Sequence, residues 1–167
     1  MAFLPSQQII PVVILLASVT VLGTTLVMEF GFDFAPCILC LYQRLPYLVA
    51  ALLAVGAASL SLPYRRVLVA LCGVTFGGNA GLAFYHVGIE NHWWTASVCT
   101  TVAEVPLSLA DLQAALERPA EVSCDVVQWS LFGLSLSGYN LLASLGLAML
   151  CMAAASQKSW WRASRNV

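Results

Sequence analysis

Six cysteines are present, and two of them, Cys37 and Cys40, form a C-x-x-C directly after Pro36. Disulfide stabilisation grows with the length of the closed loop, so this spacing suits a redox couple better than a structural staple. A thiol at the start of a helix meets the positive end of its dipole, and a C-x-x-C thiol in that place can be held ionised. Arg44 follows one turn after Cys40 and two turns after Cys37, which puts all three on one helical face. Its guanidinium can stabilise a thiolate or hydrogen-bond a carbonyl of a membrane-soluble cofactor; the plainer role is a snorkelling arginine at the membrane boundary. Cys99 and Cys124 make a second pair, more widely spaced. Three chemistries are open to it: a staple, a second redox couple in thiol–disulfide exchange with the first, or a tetrahedral zinc site built from all four thiolates. The pair lacks the short spacing of a zinc knuckle, and an oxidising compartment favours disulfides, so no metal is expected. Cys72 and Cys151 lie in apolar stretches and read as small buried hydrophobes.

The elements that must position these residues are membrane helices. Hydrophobic residues make up 60% of the chain and charged residues 9%, against about 25% charged in a soluble domain. Disorder is excluded by the same composition. Seven Lys plus Arg against eight Asp plus Glu leave no basic face for nucleic acid. Four apolar runs are long enough to span a bilayer, over about 9–28, 40–62, 67–87 and 137–155. They predict a single all-α membrane domain, residues 1–167, folded as a four-transmembrane-helix bundle. Its two outer connections cover about 29–39 and 88–136. Arg65, Arg66, Lys158, Arg162 and Arg165 fall on one side of the bundle, while Arg44, Arg118 and every acidic residue fall on the other. The positive-inside rule then places both termini in the cytoplasm. The first run has no basic stretch before it and is too long for a signal peptide.

Other features are structural on first reading. Trp93 and Trp94 after the third run, and Trp160 and Trp161 after the fourth, suit the membrane–water boundaries. Gly73, Gly77 and Gly81 recur every four residues, a small-residue stripe that predicts close helix contact. Ser108 and Asp111 resemble a capping box. Leu109, Leu112 and Leu116 behind them predict a short amphipathic helix on the membrane, stopped by Pro119. Asn79 and His86 are the polar residues of the third run, and Glu29 is a boundary acid after the first.

The order P-C-I-L-C-L-Y-Q-R at the head of the second run, A-F-Y-H toward the end of the third, then C-D-V-V-Q-W-S-L-F-G-L before the fourth, resembles the DsbB family of bacterial inner-membrane disulfide bond formation proteins. The resemblance covers essentially the whole chain. It implies a relay in the periplasm. A reduced thioredoxin-fold oxidase of the DsbA type attacks Cys99 and releases Cys124, electrons pass to the Cys37–Cys40 disulfide, and Cys40 engages a membrane quinone. Ubiquinone stands ahead of menaquinone as that cofactor, and the DsbA–DsbB–quinone route is the general one for keeping a periplasm oxidising. Arg44 matches the family's quinone-side arginine. His86 stands where the family often has a polar residue near the quinone, though packing accounts for it equally well; Glu29 is either a proton-relay acid or an ordinary boundary acid. Between Cys99 and Arg118 no family motif is matched. A vitamin K epoxide reductase-like protein would carry its C-x-x-C near the last span. A non-catalytic four-span scaffold with a stapled outer loop would tolerate replacement of Cys37, Cys40 and Arg44.

Overall fold

The computed structural model describes residues 6–60, 62–95, 108 and 122–157. The expected capping box and amphipathic helix, together with Cys99, Arg118, Pro119, Lys158, Trp160, Trp161, Arg162 and Arg165, lie outside these, apart from Ser108.

Four helices carry the fold: α1 Ser6–Phe32, α2 Ile38–Ser59, α3 Leu62–Glu90 and α4 Leu136–Ser156. All four are long and apolar enough to cross a membrane, as the composition requires. Their edges differ from the sequence expectation. α1 runs on to Phe32, α3 starts before Arg65 and Arg66 and continues through Glu90, and α2 and α3 are separated only by residues 60–61. The two arginines therefore sit in the first turns of α3, where they serve helix ends. Arg65 donates from Nε to the carbonyl of Ala57 at 2.7 Å and from its guanidinium to Leu60 at 3.1 Å. Arg66 donates from Nε to Ala155 at 2.6 Å. The last carbonyls of α2 and α4 lack intrahelical partners and carry the negative end of the dipole, so both contacts are favourable.

α1 packs along α2, α2 along α3, and α3 most extensively along α4, whereas α1 and α4 barely meet. The core lies toward the arginine end. It is built from Ile10 and Ile14 of α1, Tyr47, Ala50, Ala54 and Ala57 of α2, Val69, Cys72 and Phe76 of α3, and Cys151 and Ala154 of α4. Alanines one turn apart bring α2 close to its neighbours, since in lipid it is small-residue packing that holds helices together. Large apolar side chains such as Leu16, Leu52, Val74 and Met149 point outward.

The glycine stripe of α3 is only partly a packing device. A Cβ on Gly73 would stand 2.9 Å from Met152 Sδ and 3.2 Å from Cys151 Cβ, but Gly77 and Gly81 have nothing within 4 Å. The rotation of α3 that buries Cys72, Phe76 and Asn79 turns those two glycines outward. A short hairpin, β1 Ser130–Leu131 with β2 Leu134–Ser135, was not expected from the sequence. Its turn residues Phe132 and Gly133 both have positive φ, as a two-residue hairpin turn needs. The hairpin delivers Ser135 as the cap of α4, where its hydroxyl accepts from the Gly138 N–H at 3.2 Å.

Candidate functional site

The C-x-x-C opens α2. Cys37 is its cap residue, in extended backbone, and its sulfur accepts the Cys40 N–H at 3.3 Å. The two sulfurs are 2.9 Å apart and share a hydrogen bond; both are free thiols in this structure. Cys37 lies just before the spanning segment, and its pKa is lowered to about 4. The hydrogen bond from the Cys40 thiol is the main cause, His86 adds to it, and burial opposes both.

α3 brings His86 to the pair from the other side. Its Nε2 is 3.7 Å from the Cys37 sulfur and 3.8 Å from Oε1 of Glu90, one turn further on. Its Nδ1 faces Nε2 of Gln43 at 3.2 Å. Glu90 is held in turn by the hydroxyls of Ser135 and Ser137, each donating to Oε2 at 2.5 Å. From Gln43 the polar chain continues inward: Asn140 Nδ2 donates to Gln43 Oε1 at 2.7 Å, and the Tyr47 hydroxyl donates to Asn140 Oδ1 at 2.6 Å. Asn79 Nδ2 donates to the Ser144 hydroxyl at 2.8 Å. Buried polar groups need partners, and this chain, which runs across three helices, supplies them for all but Asn79 Oδ1 of its members.

Arg44 pairs with Glu29 of α1, Nη1 to Oε2 at 2.5 Å. Glu29 is thus the counter-ion of Arg44. The Arg44 Nε is buried and has no partner among the described residues. It belongs to a cavity of about 280 Å³ whose walls include Met28, Cys37, Cys40, Gln43, Arg44, Tyr47, His86 and Trp129. The cavity exists because α1 and α4 stay apart at this end. Small-molecule sites of this kind are mostly apolar with a few converging polar groups.

The second pair comes to the same place. Cys124 is 1% exposed and packs in one apolar cluster with Cys37, Leu39 and Ile89, with Cys40, Leu82 and Trp94 against it. It is disulfide-bonded, so it is not free to complete a four-thiolate zinc site. Trp94 is more than a boundary anchor. It stacks on Tyr85 with centroids 5.8 Å apart, donates its indole N–H to the Tyr85 carbonyl at 3.0 Å, and lies over Gly88, where no side chain would fit. Cys37, Cys40 and His86 present donor atoms within 4.8 Å of one another, a spacing that invites comparison with a metal cluster. Two of the three are the C-x-x-C itself, however, and a disulfide between them would leave only the imidazole.

Of the expected site residues, Cys37, Cys40, Arg44, His86 and Cys124 converge, and Cys99 lies outside the described residues. Sequence reasoning missed Gln43, Tyr47, Glu90, Asn140 and Ser144. A signal for them was present: Gln43 and Tyr47 follow Cys40 at helical spacing, Asn140 and Ser144 are one turn apart, and polar groups inside an apolar span are functional candidates.

Residues 7–154 match the family described as Disulfide bond formation protein DsbB. The chain is 31% identical over 162 residues to Disulfide bond formation protein B 2 of Pseudomonas syringae pv. syringae, covering 90% of each. It is 32% identical over 168 residues to the protein of that name from Pseudomonas savastanoi pv. phaseolicola, again covering 90% of each. To Disulfide bond formation protein B of Haemophilus influenzae (strain 86-028NP) it is 28% identical over 124 residues, covering 72% of this chain and 70% of that one. No solved structure matches.

Proposed function

The chain belongs to the disulfide bond formation protein DsbB family, and from that premise we propose that it is a quinone-dependent thiol oxidase serving a periplasmic dithiol oxidase of the DsbA type. One observation carries this reading: Cys124, from the long connection, lies in one buried apolar cluster with Cys37, and Cys40 packs against that cluster. Two couples so placed can exchange disulfides directly.

The steps balance as thiol–disulfide exchanges. The partner's thiolate attacks Cys99 of a Cys99–Cys124 disulfide, forming a mixed disulfide and releasing Cys124 as a thiolate. The partner's second thiolate then closes its own disulfide and releases Cys99. Cys124 attacks Cys37 of the Cys37–Cys40 disulfide, and Cys40 leaves as a thiolate. Cys99 then attacks Cys124, restoring the Cys99–Cys124 disulfide and releasing Cys37, so the electron pair rests on the reduced Cys37–Cys40 pair beside the cavity. Each exchange makes one disulfide and breaks one. Cys37 shares the buried cluster with Cys124 while Cys40 packs against it, which supports attack at Cys37 with Cys40 set free.

A membrane quinone, when bound, supplies a two-electron, two-proton acceptor, with ubiquinone proposed ahead of menaquinone. The cavity fits such a group: it is largely apolar, it lies where α1 and α4 part, and the Arg44 Nε is a buried donor without a partner among the described residues. Arg44 would hold it beside Cys40, while Glu29 keeps the guanidinium in place. Arg65 and Arg66 lie at the opposite end from the cysteines, which supports a periplasmic cysteine end and cytoplasmic termini in a bacterial inner membrane.

The test mixes purified protein with ubiquinone and a reduced DsbA-type dithiol and follows quinone absorbance. Quinone reduction that needs both the dithiol and Cys40 is the expected result. Reduction that persists in Cys40→Ser, or none across several quinones with a native sample, overturns the reading in favour of a stapled scaffold.

A further inference from the structure

We infer that Gln43 and Asn140 are positioning residues that fix the tautomer of His86, with the proton on Nε2, facing the Cys37 sulfur, and with Nδ1 bare. The argument is one of hydrogen-bond polarity. A side-chain amide has one face that only accepts and one that only donates, and a neutral imidazole has one nitrogen of each kind. Asn140 Nδ2 donates to Gln43 Oε1 at 2.7 Å, which uses the oxygen of Gln43. The donating face of Gln43 is then the one toward His86, 3.2 Å from Nδ1. A nitrogen met by a donor must accept, so the proton of the neutral ring is on the other nitrogen.

Asn140 is itself held in that sense from below. Its Oδ1 accepts the Tyr47 hydroxyl at 2.6 Å and faces the donating Nδ2 of Asn79 at 3.4 Å. Turning any one of Gln43, Asn140 or Asn79 alone would set oxygen against oxygen or N–H against N–H. The three must reverse together, and they are anchored on α2, α4 and α3 respectively. Gln43, Asn79 and His86 are buried, at 6%, 1% and 3% exposure, so a mismatched link there is costly. The chain even leaves Asn79 Oδ1 buried and without a partner among the described residues. His86 thus meets Cys37 as a fixed donor, able to stabilise negative charge on that sulfur as it attacks or leaves. This last consequence rests on reading Cys37–Cys40 as a redox couple; the tautomer does not.

The chain has two histidines, so nitrogen NMR of the reduced, full-length protein labelled at histidine nitrogen, with His92→Gln for assignment, reads the site directly. The expected wild-type spectrum shows Nε2 protonated and Nδ1 unprotonated at neutral pH. Gln43→Glu, which can only accept, shifts the Nδ1 resonance to its protonated position. Asn140→Ala never touches His86, yet it frees Gln43 to turn and gives a mixture of tautomers. A wild-type Nδ1 that carries the proton overturns the inference, and a spectrum unchanged by Asn140→Ala removes Asn140 from it. Should Asn140→Ala fail to fold, the wild-type and Gln43→Glu spectra still decide. A wild type with the expected tautomer but no electron transfer would sink the redox reading and leave this one standing.

Discussion

Among the described residues the bundle holds two pairs of free thiols, and they are treated in opposite ways. At one end Cys37 caps α2, accepts a backbone N–H, touches a second thiol, meets an imidazole and lines a cavity. Toward the other end Cys72 and Cys151 are wholly buried in the apolar core, where the Cys72 thiol finds only the Ala50 carbonyl at 3.7 Å. The side chain is the same; its surroundings decide the chemistry. A cap position supplies N–H groups that a mid-helix position has already spent within the helix. Parting α1 from α4 opens room for a ligand where close packing would leave none.

The largest effect expected from this contrast is on turnover. Cys37→Ser or Cys40→Ser removes a sulfur that the proposed relay needs, and thiol oxidation with quinone should fall by about 1000-fold or more. The double variant Cys72→Ala, Cys151→Ala should keep the rate within about 3-fold, since neither sulfur touches the cavity. Loss of oxidation in the core variant, with the fold retained by circular dichroism, would erase the distinction between the pairs.

A titration sharpens the same contrast. A thiol held at about 4 is ionised above that pH and gains its proton only as pH falls through it. An ordinary thiol changes form near 8.5. The ultraviolet thiolate absorbance of the reduced protein, taken as the difference from Cys37→Ser, should already be full at pH 6 and fall away toward pH 4. A difference that first rises near pH 8 would show that the Cys40 thiol, His86 and the cap do not hold the thiolate.

Arg44 comes next. Charge-assisted hydrogen bonds contribute about 1.5–3 kcal/mol, so Arg44→Leu should raise KM for the quinone by about 10–100-fold. It also strands Glu29, and Arg44→Lys should restore part of the affinity by keeping the charge while losing the fork. A KM unchanged in both variants would return Arg44 to the role of a boundary arginine.

The parts of this arrangement that were legible beforehand were those written in runs and short spacings. Apolar length announced the four helices, and the C-x-x-C with Arg44 announced one face of α2. The edges moved because polar groups at the ends find partners across helices: Arg65 and Arg66 could be counted as charges, but not as caps for α2 and α4. Gln43, Asn140 and Tyr47 escaped notice because their role depends on which helices face one another. That arrangement is set by packing between segments far apart in the chain, to which periodicity along one segment is blind. The hairpin was hidden for a different reason. Phe132 at positive φ runs against local preference, and only the pairing of Ser130 with Ser135 reveals it.

The smallest effect concerns α3, where the glycine stripe divides between two surroundings. Glycine inside a helix costs about 0.5–1 kcal/mol relative to alanine, so alanine should help wherever there is room. At Gly77 nothing lies within 4 Å of the new methyl, and Gly77→Ala should stabilise the protein by roughly that amount. At Gly73 the methyl meets Met152 Sδ at 2.9 Å and Cys151 Cβ at 3.2 Å. The methionine chain is flexible and can swing aside, but the cysteine is buried on a neighbouring helix and cannot. Overpacking costs about 1–3 kcal/mol, which outweighs the helix gain, so Gly73→Ala should lower stability by about 1 kcal/mol. Thermal unfolding in one detergent decides it by sign: Tm rises for Gly77→Ala and falls for Gly73→Ala. Equal shifts would mean that α3 is rotated from its place here, and the faces assigned to Asn79 and His86 would move with it.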